Sequence, residues 1–426
     1  MVGTDINRSV ETVFRIEQAR LIAGLTRMVR DVGLAEELAQ DALVTALSEW
    51  PSSGVPDNPG AWLMAAAKRR AIDRLRRSKM QERKNAEIGR DLDEDRADDV
   101  ERIDAALDDD IGDDLLNLIF IACHPVLSQD ARVTLTLRLI AGLTTEEIAR
   151  AFLTTEPTVA QRITRAKKTL GESGAAYDAP RGAERTARLT SVLEVIYLIF
   201  NEGYAATAGD DLIRTDLCIE AQRLGRILTG IAPQEPEAFG LLALMEIQAS
   251  RLKARVGPDG EAIPLPEQNR AQWDRLLIAR GLEALARAEA LGGADGPYAL
   301  QAAIAACHGR ASRAEDTDWP RIAGLYDRLA AVMPSPVVGL NGAVAHSMAF
   351  GPQAGLGLLA PLEKDQTLRD YLPLYAAKGD FLFRAGRFTE ARAAFERAAK
   401  LSRNTAERNF LLKRAAACGP AGPITR

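Results

Sequence analysis

Residues 144–170, TTEEIARAFLTTEPTVAQRITRAKKTL, read as two helices joined by a tight turn. Ile148, Ala149 and Phe152 give the first an apolar stripe. Leu153, Thr154 and Thr155 form the turn, with Thr155 placed to cap the second helix. Pro157 falls in the first turn of that helix, where an N–H has no intrahelical acceptor to lose. Val159, Ile163, Ala166 and Leu170 recur at spacings of three and four, which puts them on one inward face. The same geometry turns Glu156, Thr158, Gln161, Arg162 and Arg165 outward, as groove-facing candidates of a helix-turn-helix. Lys167 and Lys168, near the helix end, suit phosphate better than base edges.

A second basic helix lies upstream, at 61–77. Lys68, Arg69, Arg70, Arg74, Arg76 and Arg77 crowd its second half, and Trp62, Leu63, Ala66, Ile72 and Leu75 supply an apolar face. Residues 68–84 hold nine Lys or Arg against two acids, net +7, whereas 87–114 hold fourteen Asp or Glu against three Arg, net −11. The net charge of −5 over 426 residues therefore conceals strong segregation. A polyanion has one segment to bind and one to avoid. Basic residues late in a helix also complement its dipole, but this excess is larger than capping needs, and its hold on phosphate should weaken steeply with salt.

Strand signals are almost absent and helical periodicity recurs from end to end, so the fold class is all-α. Length and a 47% hydrophobic content allow two or three domains. The first is expected over 7–84, with a stripe of Leu34, Leu38, Ala42, Leu43 and Leu47 ending at Trp50, then a loop PSSGVPDNPG at 51–60. Residues 85–112 read as an acidic flexible linker. A second unit over 113–172 comprises helices at 115–123 and 129–141, broken at His124-Pro125, and the helix-turn-helix. Alanine-rich helices fill 185–426. Near the end, Tyr375, Gly379, Leu382, Gly386, Ala391, Phe395 and Ala398 fall at the offsets of a tetratricopeptide repeat. One repeat cannot bury its face alone, so 299–307, 319–332 and 336–350 are expected to be degenerate helix pairs of the same solenoid; a generic α-bundle is the alternative.

The N-terminal stretch has no basic flank followed by an apolar run, and no stretch reaches the roughly 18 apolar residues of a membrane span. A cytoplasmic protein without membrane contact is expected. Cys123, Cys218, Cys307 and Cys418 are widely spaced without a CxxC pair, which argues against a disulfide framework or a zinc site. No phosphate-binding, nucleophile-elbow or metalloprotease motif occurs, and the carboxylates do not converge in pattern. The chain reads as no enzyme, with no catalytic residue, cofactor or metal. His124, His308 and His346 read as structural histidines.

With these features in place, ELAQDALVTALSEW (37–50) followed by PGAWLMAAAKRRAIDRLRR (59–77) resembles region 2 of a bacterial sigma factor, of the sigma-70 family and its extracytoplasmic-function group. LSQDARVTLTLRLIAGLTTEEIARAFLTTEPTVAQRITRAKKTL (127–170) is similar to region 4 of that group. VIYLIFNEGYAAT (195–207) and GPDGEAIPLPEQNRAQWDRLLI (257–278) resemble the subgroup that carries a long tetratricopeptide-like C-terminal extension.

The resemblance implies an alternative sigma factor that binds core RNA polymerase, through the β′ clamp and β flap, and opens promoter DNA. It places Glu36, Glu37, Gln40, Asp41 and Glu49 on an acidic outer face that docks on the clamp. It aligns Asp57, Asn58 and Gly60 with the segment that captures an unstacked base of the −10 element; Asn58 and its neighbours equally read as turn residues around Pro59. Trp62 is either core or a stacking platform. Lys68, Arg69, Arg70, Arg74 and Arg77 then face the −10 region. Glu156, Thr158, Gln161, Arg162, Arg165 and Lys168 face the −35 element, Arg162 and Arg165 as readers of guanine or holders of phosphate. The acidic linker is implied to thread the RNA path of the polymerase; it otherwise reads as a plain spacer, or as a mask folded back on 68–84. A concave C-terminal solenoid is expected to regulate the factor or to bind a protein partner. Two rivals stay open: a helix-turn-helix regulator with a repeat sensor domain, and a repeat-based scaffold.

Overall fold

The computed structural model describes residues 2–86, 111–152, 154–173, 180, 182–204, 213–257, 263–402 and 405–419. Among them are eighteen α-helices and no extended strand. Most of the acidic linker, 87–110, lies outside the described residues. No described helix is long and apolar enough to cross a membrane. The chain divides into two compact units, one of Met1–Glu202 with Ile219–Ala232, the other of Gly203–Cys218 with Pro233–Arg426.

In the first unit, α1 (Val2–Val29), α2 (Val32–Ser53) and α3 (Pro59–Ala86) pack pairwise. Asp31 caps α2 by accepting from Leu34 N at 2.8 Å. The core stripe of α2 is Ala35, Leu38, Ala39, Ala42, Ala46 and Trp50, set against Leu21, Ile22 and Leu25 of α1. This corrects the expected stripe in part: Leu34, Leu43 and Leu47 are only half-buried. Alanines at the contact let the helix axes approach closely, so the larger leucines are pushed to its margin. On α3 the fully buried positions are Leu63, Ala67 and Ala71, with Trp62, Ala66 and Ile72 at the edge.

The unit continues with α4 (Ile111–Ala122), α5 (Gln129–Leu139), α6 (Thr145–Ala151) and α7 (Glu156–Glu172). Helix α1 packs on α4 and α5. Arg27 pairs with Asp114 at 3.3 Å, and Gln18 Nε2 donates to the Arg138 carbonyl at 3.4 Å. Most of α8 (Gly182–Tyr204) and α9 (Thr215–Ile231) joins this unit too, although the sequence division groups them with the extension. Ser191 Oγ donates to the Cys123 carbonyl at 2.8 Å, and Arg223 Nη2 to the Ile140 carbonyl at 3.1 Å, which satisfies orphan carbonyls at the ends of α4 and α5.

The second unit holds α10 (Pro236–Ala249), α11 (Arg275–Ala290), α12 (Pro297–Arg310), α13 (Trp319–Val332), α14 (Pro336–Phe350), α15 (Pro352–Leu362), α16 (Leu372–Arg384), α17 (Phe388–Leu401) and α18 (Thr405–Ala417). From α12 onward each helix packs on the next, as expected of stacked hairpins. The α16–α17 hairpin follows the repeat spacing. Gly386 turns the chain at φ 76°, and a Cβ on Gly379 would lie 2.7 Å from the Phe395 ring. Leu382, Ala391, Phe395 and Ala398 close the interface. Elsewhere, Glu237 of α10 accepts from the Tyr298 and Ala299 N–H groups at 2.8 and 3.2 Å, holding a carboxylate at the N-terminus of α12.

Burial, with Arg251 and then Arg270 adding repulsion, pushes the His308 imidazole down to about 4. An unfolded chain takes up this proton at its ordinary value while the folded chain refuses it. Stability should therefore fall as pH drops from about 6.5 to about 4, by up to about 3 kcal/mol. Acid-dependent thermal melting checks this, with His308→Gln expected to lose that portion of the pH dependence.

Candidate nucleic-acid interface

The inward stripe of α7 is as the spacing predicts: Val159, Ile163, Ala166 and Leu170 are all buried. Glu156, Thr158, Gln161 and Arg165 stand exposed on the opposite face. A capping box starts α6, and one side-chain hydrogen bond ties its first turn to the start of α7. Thr144 and Glu147 form a capping box on α6, and Thr145 Oγ1 donates to Glu156 Oε1 at 2.9 Å. Thr155 occupies the N-cap position of α7, but its hydroxyl bonds the Thr158 hydroxyl at 2.8 Å rather than a backbone N–H. Arg162 is half-buried against Asp130 of α5, at 3.2 Å. Lys168 makes an exposed pair with Glu172 at 3.6 Å. Such pairs contribute roughly 0–1 kcal/mol, so both cations can exchange a carboxylate for phosphate or a base edge.

At the start of α3, Asn58 Oδ1 accepts from Ala61 N at 3.1 Å, so Asn58 caps this helix and is itself exposed. Trp62 meets the fully buried Trp50 edge to face, with centroids 5.3 Å apart, and is only half-buried. It belongs to the core margin with one side still accessible, a geometry that serves both of its sequence readings. Arg69, Arg74, Arg76 and Arg77 are exposed, while Lys68 and Arg70 are half-buried. Arg70 donates to Thr45 Oγ1 at 2.7 Å and pairs with Asp41 at 3.3 Å; Arg74 pairs with Glu37 at 3.4 Å. The basic helix is thus partly neutralised by the acidic helix beside it.

On α2, Glu37, Gln40, Asp41 and Glu49 form an exposed face, as expected. Glu36 does not. It is only 3% exposed, and its carboxylate is held by Arg138 of α5 at 2.7 Å and Lys167 of α7 at 2.5 Å, with Gln40 Nε2 donating at 3.1 Å. Its placement on the outer face is corrected, because two cations from the helix-turn-helix side supply the countercharge that lets a carboxylate be buried. Lys167 is likewise occupied by this pair rather than offered to phosphate. Arg138 is a residue that local pattern gave no reason to single out; only its partners reveal it.

Removing one partner of a buried pair costs about 3–5 kcal/mol. Glu36→Gln is therefore expected to lower the stability of the first unit by about 3 kcal/mol, whereas Glu49→Gln on the exposed face should change it by less than about 0.5 kcal/mol. Urea unfolding checks both; equal stability of the two variants would show that the triad does not hold the unit together.

Residues 13–80 match the family model of Sigma-70 region 2, and 117–170 that of Sigma-70 region 4. Residues 188–289 match DUF6596, a family of unknown function. The chain is 41% identical over 394 residues to an uncharacterized protein of Rhizobium meliloti (strain 1021), covering 92% of this chain and 91% of that protein. It is 36% identical over 76 residues to the ECF RNA polymerase sigma factor SigK of Mycobacterium sp. (strain KMS), covering 17% of this chain and 38% of that one. Region 2 precedes region 4, the exposed faces of α3 and α7 carry the cations, and both matches fall on those helices. On these grounds the chain belongs to the sigma-70 family, in its extracytoplasmic-function group, with a large helical extension after region 4.

Proposed function

We propose that this chain is an alternative sigma factor that directs core RNA polymerase to −35/−10 promoters, and that its extension modulates that activity. The observation that carries the reading is the division of α7 into a buried stripe and an exposed face holding Gln161 and Arg165, on a chain that also presents the cationic face of α3. In this reading Glu37, Gln40, Asp41 and Glu49 dock on the β′ clamp, the region 4 helices meet the β flap, and Arg69, Arg74 and Arg77 hold phosphates near the −10 element. Asn58 has its Oδ1 engaged in capping, and in this reading its amide N–H groups donate to a flipped base.

Helix α2 also bears on how the free factor is held. Through Glu36 it binds α7, and through Glu37 and Asp41 it binds α3. Two DNA elements more than a helical turn apart, roughly 34 Å, require the α2–α7 contact to part. Polymerase docking on the same acidic helix then competes with it. Such a factor needs polymerase to engage DNA. A gel shift is expected to show promoter retention only when core polymerase is present; an equal shift without polymerase would favour a conventional helix-turn-helix regulator. Removal of 236–426, which spares α8 and α9, is expected to change promoter activity in cells, and unchanged activity would refute a regulatory role for the extension.

A further inference from the structure

The phrase at 257–278 has no part in reading DNA, yet its Leu265 and Trp273 line a cavity in the second unit, and Tyr204 lies beside Arg251 of the same cavity. The cavity has a volume of about 130 Å³, similar to engineered apolar cavities of about 150 Å³ that admit benzene. Ile247, Leu265, Ile304 and Ala305 give it apolar walls, and Arg251, Trp273 and His308 give it polar ones. Trp273 is only 4% exposed, and its indole N–H has no acceptor. His308 Nδ1 is buried without a partner as well.

Three arginines lie around the cavity, and of these Arg270 feels the opposite charges of Glu315 and Asp316. Arg251 bonds the neutral Gln248 Oε1 and lies 5.5 Å from the centre of the Tyr204 ring, while Arg255 stacks on that ring at 3.6 Å and donates to the Tyr204 carbonyl. Among the described residues neither arginine has a carboxylate partner. Arg270 lies 5.0 Å from the Trp273 ring and donates to the His308 and Ala311 carbonyls, both at 2.9 Å, and to Thr317 Oγ1 at 3.0 Å. Those bonds fasten the 263–273 segment to the end of α12, and Gln268 Nε2 braces the segment internally by donating to the Ile263 carbonyl at 2.9 Å. The wall is built rather than incidental. The His308 pKa is depressed first by burial, and then by Arg251 and Arg270, which both act against a further cation.

We propose that this cavity binds a small organic carboxylate with a flat or branched apolar body, its charge received by Arg251 and the Trp273 N–H and its body by Ile247, Leu265 and Ile304. A half-buried guanidinium without a counter-ion selects an anion. A buried indole donor selects an acceptor. The apolar walls select against a hydrated inorganic ion. The site is independent of the proposed role in transcription, and its test uses no polymerase.

The full-length chain is titrated calorimetrically with sodium benzoate, with benzamide as its neutral counterpart and with inorganic phosphate. Benzoate is expected to bind with a Kd below the millimolar range and at least tenfold more tightly than either control. Arg251→Gln should weaken benzoate at least tenfold and leave benzamide unchanged, with Arg251→Lys restoring part of the loss. Trp273→Phe keeps the volume, removes the donor and should weaken benzoate severalfold. Because a change at Arg251 can disturb folding, Ala305→Leu provides a second arm: it fills the cavity, keeps the charge, and should abolish benzoate binding while the melting curve stays cooperative. The proposal is overturned if benzoate binds no more tightly than benzamide or phosphate, or if folded Ala305→Leu binds benzoate as the parent does.

Discussion

Reversing two charges on α3, by Arg69→Glu together with Arg77→Glu, is expected to reduce promoter-specific transcription by ~100-fold and to lower the salt slope of promoter binding by about 2. Both side chains are exposed, and neither belongs to the buried stripe of Leu63, Ala67 and Ala71. The helix should therefore fold unchanged while a phosphate-holding surface turns repulsive. Run-off transcription at fixed salt, paired with circular dichroism, separates the two effects. If these charges were merely solvated ends of a well-capped helix, the double variant would transcribe as the parent does. On α7, Arg165→Ala is the milder counterpart, with an expected loss of roughly 1–3 kcal/mol confined to promoters that place a guanine opposite it.

The second large effect is expected in the extension. Gly379 faces Phe395 with no room for a methyl group, since the ideal Cβ lies 2.7 Å from one ring atom and 2.8 Å from another. Gly379→Ala must displace the ring or part α16 from α17, at a cost of about 1–3 kcal/mol. Phe395→Ala should cost more, about 3–5 kcal/mol, because it empties a core that also holds Leu382, Ala391 and Ala398. The informative variant combines Gly379→Ala with Phe395→Leu: the smaller side chain makes room for the methyl group, so the double loss should be less than the sum of the two single losses. Strict additivity in thermal unfolding would show that the two positions do not share an interface.

What the sequence could reveal follows from how far apart the interacting residues lie along the chain. The α7 stripe was legible because Val159, Ile163, Ala166 and Leu170 are neighbours on one helix, where periodicity alone sets the face. The α16–α17 hairpin was legible for a similar reason, its small and large residues being placed by a short repeat. Glu36 was misjudged because what buries it is Arg138, 102 residues away in sequence, and no local pattern announces such a partner. Large leucines mark the α2 stripe in the sequence, whereas in the fold Ala35, Ala39 and Ala46 are buried and Leu34, Leu43 and Leu47 only half-buried. His308 reads as structural, and the sequence gives no sign that the fold sets it beside Arg251 and Trp273.

The most direct measurement is run-off transcription with purified core RNA polymerase and this chain on genomic fragments. The account predicts discrete transcripts from promoters that the core enzyme alone does not use, lost with Arg69→Glu/Arg77→Glu and retained with Trp273→Phe. A chain that forms no complex with core polymerase, or that leaves its start sites unchanged, would contradict it.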